Sequence, residues 1–218
     1  MARPRKEADG GDARQRIREA LWFLLEKREL RDITVSMITE QAGCNRGTFY
    51  YHFNGIDDLL RSVISDDVLQ RRLVAELTFR ISDKDEAAVR RIIAGTQLRR
   101  LSIMINHAGI ETAFDKVFDS LAATWTSILC PDGTPLKPEA QTIILYYVGG
   151  ILSMMAATLR RGQEPCEGDD SRTNDALIHF VMENGEFITK QICLAQGVSP
   201  EVALERIATI VHFMDFMR

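Results

Sequence analysis

Residues 143–159, IILYYVGGILSMMAATL, run on without a single charge, and any fold of this chain has to cover them. A membrane-spanning helix needs about 20 apolar residues, and no second candidate span accompanies this one. The stretch also holds Tyr146 and Tyr147 beside a Gly149-Gly150 pair. A helix that is apolar all round fits a soluble protein when its own domain covers one side and a partner the other. Burial is the preferred reading, with a membrane anchor as the alternative.

The rest of the chain repeats the helical period. Ile17, Leu21, Leu24 and Leu25 share one face of a helix that Asp12 is expected to cap, with Gln15 as its capping-box partner. Thr34 is placed to cap a short helix carrying Val35, Ile38 and Ala42 inward. Gly43 ends it, and Asn45 caps the next. A long amphipathic helix is expected from Ile56 to about Arg80, broken at 82–86 by SDKDE, then a further helix to about Asn106. NHAGIE makes a joint, and Phe114, Val117, Phe118, Leu121, Trp125 and Ile128 form one stripe. CPDGTPLKP (130–138) and RRGQEPCEGDDS are loops around a helix at 139–161. Helices over 173–196 and from Ser199-Pro200 follow, the proline suiting a first turn. No run alternates with period two for long enough to make a strand. The expected fold is all-α, about nine helices, divided into 1–56 (1–12 a flexible arm) and 57–218.

Charge adds little overall, since 27 basic and 31 acidic residues leave a net −4. Its distribution says more: residues 1–55 hold 10 Lys/Arg against 8 Asp/Glu, and the remainder 17 against 23. An anion-binding surface therefore belongs at the N-terminal end. Cys44, Cys130, Cys166 and Cys193 are scattered, and the four histidines do not join them at zinc-ligand spacing. The start, MARPRKEADGGDA, is charged and lacks an apolar stretch, so no signal peptide is expected. The thiols are read as reduced, in a cytoplasmic protein. Cys44, beside a turn, reads as a small turn residue rather than a redox sensor. No phosphate-binding glycine loop, nucleophile motif or spaced carboxylate pair appears, so neither enzymatic activity nor a metal or cofactor is expected.

One stretch carries a specific chemistry. In AGCNRGTFYYHF (42–53) a glycine turn separates two short helices, the helix-turn-helix arrangement whose second helix enters the major groove. At 100° per residue, Phe49 and Phe53 fall on one side with Arg46 near them. Gly47, Thr48, Tyr51 and His52 fall opposite, and Tyr50 on the flank. The phenylalanines anchor the helix, and Gly47 lets its backbone approach DNA. Thr48 and Tyr51 reach base edges. Tyr50 and His52 donate to phosphates, which orients the helix without reading sequence.

Residues 33–60, ITVSMITEQAGCNRGTFYYHFNGIDDLL, resemble the N-terminal signature of the TetR family of bacterial transcription regulators. The resemblance covers about residues 14–60. It implies phosphate contacts from Thr34, Tyr50 and His52, and base-side contacts from Arg46, Gly47, Thr48 and Tyr51. Ser36 and Asn45 complete the set expected to face DNA. The chain departs from the pattern at Ile56, where the family usually has lysine. It departs also at Glu29, where a glycine commonly ends the first helix, and at Thr39, where alanine is usual. With the lysine contact absent, the helix N-terminus after Gly55 is left to offer backbone N–H groups to phosphate.

The resemblance further implies a C-terminal region that binds a small molecule and forms a homodimer. The helices at 139–161 and 173–196 carry more apolar surface than one core can cover. Leu145, Val148, Leu152, Leu177, Phe180, Val181 and Ile188 are the expected dimer contacts. Met104, Phe114, Phe118, Trp125, Tyr147 and Met154 are expected to line a pocket, with Asn106 and His107 at one end. The expectation is a homodimeric regulator, a repressor, that binds a palindromic operator in double-stranded DNA under control of a small, mainly apolar ligand. The rival readings are a regulator whose large domain binds a protein partner, and a membrane-anchored helical protein.

Overall fold

The computed structural model describes residues 10–69, 71–93, 96–160 and 171–216, and among these every regular element is helical. Contacts divide the chain into two compact units, Met1–Val63 and Ile64–Arg218.

The first unit holds α1 (Gly10–Leu25), α2 (Val35–Gln41), α3 (Arg46–His52) and α4 (Ile56–Val63), with a 3-10 turn at Leu30–Asp32. Helix α1 packs against the other three. Ile17, Leu21 and Leu25 of α1 are fully buried, as are Ile38 of α2, Phe49 of α3 and Leu59 of α4. Burial of Leu59, Leu60 and Val63 makes α4 part of this core. The division therefore falls after Val63 rather than after residue 56. Helix α1 also opens earlier than expected, at Gly10. Gln15 bonds Glu19 (2.9 Å) instead of completing a capping box. Of the expected N-terminal arm, residues 1–9 lie outside the described residues.

Two of the departures from the family pattern have local answers. Glu29 sits at φ −65°, ψ 142°, an extended conformation that needs no glycine. Thr39 is buried, and its hydroxyl donates to the Ser36 carbonyl (3.0 Å), so no polar group is left unpaired.

The second unit begins where a long helix was expected to continue. Instead Ile64–Val68 forms a π turn, with the Leu69 N–H bonded to the Ile64 carbonyl (2.8 Å). Ile64 and Val68 are buried, and the turn packs on α7 and α8. Arg100 holds Asp67 from α7 at 3.5 Å. The run resumes as α5 (Arg71–Ser82), with Gln70 outside the described residues. The single helix expected over about 86–106 is two, α6 (Glu86–Ile93) and α7 (Thr96–Ala108), with Ala94 and Gly95 outside the described residues. Gly109, at φ +88°, makes the joint to α8 (Ile110–Leu129), a conformation that suits glycine.

Helix α9 (Pro138–Arg160) packs against α8 on one flank and α10 (Ser171–Gln196) on the other. Helix α11 (Pro200–Phe216) lies against α5, and Arg206 bonds the Ile128 (2.9 Å) and Leu129 (3.2 Å) carbonyls that end α8. Most of the polar loop after α9, residues 161–170 including Cys166, lies outside the described residues.

Candidate functional site

In the first unit, two short helices are set by caps within the sequence itself. The Thr34 hydroxyl accepts from the Met37 N–H (3.3 Å), opening α2. Gly43, at φ +62°, turns the chain, and the Asn45 carboxamide accepts from the Thr48 N–H (2.8 Å), opening α3. Arg16 of α1 reaches the Ala42 carbonyl (3.1 Å) and so ties the turn to α1. Arg46 donates to the Ser36 hydroxyl, linking α3 to α2.

Helix α3 then sorts its aromatics by face. Phe49 is fully buried and Phe53 nearly so, their rings 5.9 Å apart. Tyr50 is 57% exposed and Tyr51 84%. The Tyr51 and His52 rings meet edge to face at 4.9 Å, which holds both outward. Gly47, Thr48, Tyr51 and His52 line an open groove of about 740 Å³, whose far wall is Ala13 and Arg16. A Cβ on Gly47 would stand 3.1 Å from the Asn45 Oδ1, so a side chain there would press on the cap of its own helix. Burial pushes the Cys44 thiol above its ordinary value, with Arg16 only partly opposing. That disfavours the thiolate an oxidation sensor needs.

The α4 N-terminus, expected to offer N–H groups to phosphate, carries Asp57 and Asp58 in its first turn. Asp58 accepts from the Asn54 backbone (2.9 Å) and carboxamide (3.1 Å). These carboxylates place negative charge where a phosphate would have to sit.

The second unit holds a partly open apolar cavity of about 190 Å³. Leu69, four residues of α5, Leu101 of α7, three turns of α8, and the inner faces of α9 and α10 make its wall. Val117, Leu121 and Trp125 face it from α8, at four-residue spacing. Tyr147, Val148 and Leu152 face it from α9, and Val181, Gly185 and Ile188 from α10. Burial pushes the Tyr147 hydroxyl up to about 12.

Outside, α9 shows Leu145 and Tyr146, and α10 shows Phe180, Phe187 and Leu194 at seven-residue intervals. The last two are more than half exposed, at 62% and 61%. Helix α9 is long and apolar enough to cross a membrane, and only 33% of its most apolar window is buried inside the subunit.

A model of the tetR family of bacterial regulatory proteins matches residues 17–63, which span α1 to α4. Residues 17–63 thus carry the DNA-binding signature of that family. It is 25% identical over 183 residues to the HTH-type transcriptional regulator TtgR of Pseudomonas putida, covering 83% of this chain and 81% of TtgR. The same figures hold for the probable HTH-type transcriptional regulator ArpR, also of Pseudomonas putida. The HTH-type transcriptional regulator SrpR of that organism is 35% identical over 65 residues, 30% of each chain. No solved structure matches the chain. The matched region and these relatives support a tetR-family DNA-binding transcription regulator.

The tetR-family fold brings some expected residues together and separates others. Thr34, Ser36, Asn45, Arg46, Gly47, Thr48, Tyr50, Tyr51 and His52 all sit at the surface or half-buried on α2, α3 and their caps. Of the expected pocket residues, Trp125 and Tyr147 line the cavity. Met104 is buried in the core away from it, and Asn106 is exposed at the end of α7 beside half-buried His107. Phe114 borders a shallow surface hollow with Ile110, Glu111 and Asp115. Phe118 and Met154 are half-buried and do not reach the cavity.

The expected dimer contacts also divide. Leu145 and Phe180 point out, but Val148, Leu152 and Val181 are buried, and with Ile188 they line the cavity. The side chain of Leu177 lies outside the described residues. Phe187 and Leu194, which were not among the expected contacts, are exposed at a seven-residue spacing from Phe180. Among the described residues no group of three His, Cys, Asp or Glu could hold a metal ion.

Proposed function

We propose that this chain is a cytoplasmic homodimeric repressor, released from a palindromic operator when a small, mainly apolar molecule fills the cavity of its second unit. The cavity carries the reading: a concave apolar space in the larger unit of a DNA-binding regulator is the default place for an effector. Leu69 lines it and directly follows the π turn. A ligand therefore touches the chain next to the segment that continues from the DNA-binding unit. Each protomer presents one α3 to the major groove. Thr48 and Tyr51 face base edges, Arg46 and Gly47 lie along them, and Thr34, Tyr50 and His52 face phosphates.

Dimerisation through α9 and α10 covers Leu145, Tyr146, Phe180, Phe187 and Leu194 with their symmetry mates. The seven-residue spacing on α10 suits antiparallel or parallel helix pairing about a two-fold axis.

Sequencing the DNA that the protein retains from its own genome yields the operator. Anisotropy titrations on that operator then test the rest. Wild type should bind a palindrome as a dimer, and Tyr51→Ala should weaken it. A monomer by light scattering, with the operator bound all the same, would favour a protein partner on the α9–α10 face. Insolubility without detergent would favour a membrane anchor.

A further inference from the structure

Among the described residues, the wall of the cavity contains no acidic or basic residue and no histidine. The polar side chains among those lining residues are Thr78, Thr189 and Tyr147, each with a hydroxyl. Thr78 already donates to the Val74 carbonyl (2.8 Å) within α5. Tyr147 is half-buried on this wall, and burial pushes its hydroxyl up to about 12. A charged ligand would meet no counter-ion among the described lining residues, and burying an unpaired ion is the costliest exchange in such a space.

Size narrows the class further. A cavity of about 150 Å³ takes one benzene ring, whereas drug-sized pockets start near roughly 300 Å³. At about 190 Å³ this cavity has room for a single ring with a small substituent. Gly185 helps to keep that room. A Cβ there would meet Ile81 Cδ1 at 3.0 Å and Cγ2 at 3.1 Å. Ile81 itself lines the cavity, so the space into which it would be displaced is the ligand's.

From this wall we infer that the cavity binds an uncharged, one-ring aromatic molecule, that Tyr147 takes up its single hydroxyl, and that Gly185 sets its upper size. The inference rests on the effector reading above and deepens it.

The test uses the full chain without DNA, titrated by calorimetry and by tryptophan fluorescence with toluene, p-cresol and benzoate at neutral pH. Toluene and p-cresol should bind, and benzoate should bind at least roughly a hundredfold more weakly than p-cresol. Tyr147→Phe should weaken p-cresol roughly two- to tenfold and leave toluene unchanged. Gly185→Ala should weaken both neutral rings while the helical circular dichroism persists. If that variant loses its fold, Leu121→Phe fills the same space from α8 and should have the same effect.

Benzoate binding as tightly as p-cresol would overturn the inference. So would the failure of both neutral rings to bind, or unchanged affinities in the filled variant. If the rings bind as expected but operator affinity does not move, the inference stands and the effector reading fails.

Discussion

Phe49 and Tyr51 are two residues apart and do opposite work. Phe49 is wholly inside, whereas Tyr51 has almost nothing of its own subunit against it. Phe49→Ala should cost about 3–5 kcal/mol of stability through the cavity it leaves, read from the urea midpoint. Tyr51→Ala should leave that midpoint alone and cost about 1–3 kcal/mol of operator binding, with relaxed preference at one base pair per half-site. Unchanged operator binding by Tyr51→Ala would remove α3 from the reading role. Asn45 is different again, because its carboxamide closes the first turn of α3. Asn45→Ala should lower stability by about 1 kcal/mol and weaken binding to every DNA sequence, since the whole helix loosens.

At the scale of elements, α10 has two faces with separate tasks. Phe180 stacks on Tyr147 at 6.1 Å, so a charge there disturbs the cavity wall as well as the outer surface. Phe187 is the cleaner probe. Phe187→Asp should yield monomers by light scattering and lose the palindromic operator, because an unpaired carboxylate would have to be buried at the pairing surface. A stable dimer in that variant would place the interface elsewhere.

The same helix is tied to the corner after α5 by Glu186, which bonds Lys84 (2.7 Å) and Lys190 (2.8 Å). Hydrogen bonds first from Lys190 and then from Lys84 hold its carboxyl down at about 2 against the ordinary 4.5. The folded form thus takes up the proton less readily than the unfolded chain. The stabilisation is complete above about 4.5 and fades as pH falls toward about 2. Glu186→Gln should flatten the pH dependence of stability across that window. At neutral pH its effect should be small, since both lysines are largely in solvent.

For the molecule as a whole, the operator can respond to a ligand only as far as the ligand prefers one conformation of the second unit over another, typically about 1–3 kcal/mol. Trp125→Ala is a poor test, because removing so buried a ring costs about 3–5 kcal/mol of folding on its own. Ile188→Phe fills the cavity without leaving a void. It should abolish the ligand response while operator binding without ligand stays within a few-fold of wild type. Leu69→Ala should separate the two steps, with ligand still bound in calorimetry and the shift in operator affinity reduced. A full response from Leu69→Ala would mean that the signal bypasses the π turn.

What could be read from the residues alone was what depends on near neighbours. Thr34 and Asn45 each cap an amide three residues on, Gly43 turns the chain through its own φ, and Phe49 and Phe53 share a face because they are four apart. Such interactions survive in any tertiary setting, so the helix-turn-helix and the sorting of its aromatics were legible before any packing was known. The tertiary structure decided the rest. Helix α9 is apolar nearly all round, and α10 carries apolar residues on its outer side as well as its inner one, so periodicity gives little sign of which side turns inward. Only the positions of α5 and α8 put Val148, Leu152 and Val181 on a cavity and leave Phe187 and Leu194 outside. The π turn depends likewise on packing against α7 and α8, and the size of the cavity on Ile81 meeting Gly185. Those residues are far apart along the chain, and their meeting is a property of how whole helices pack.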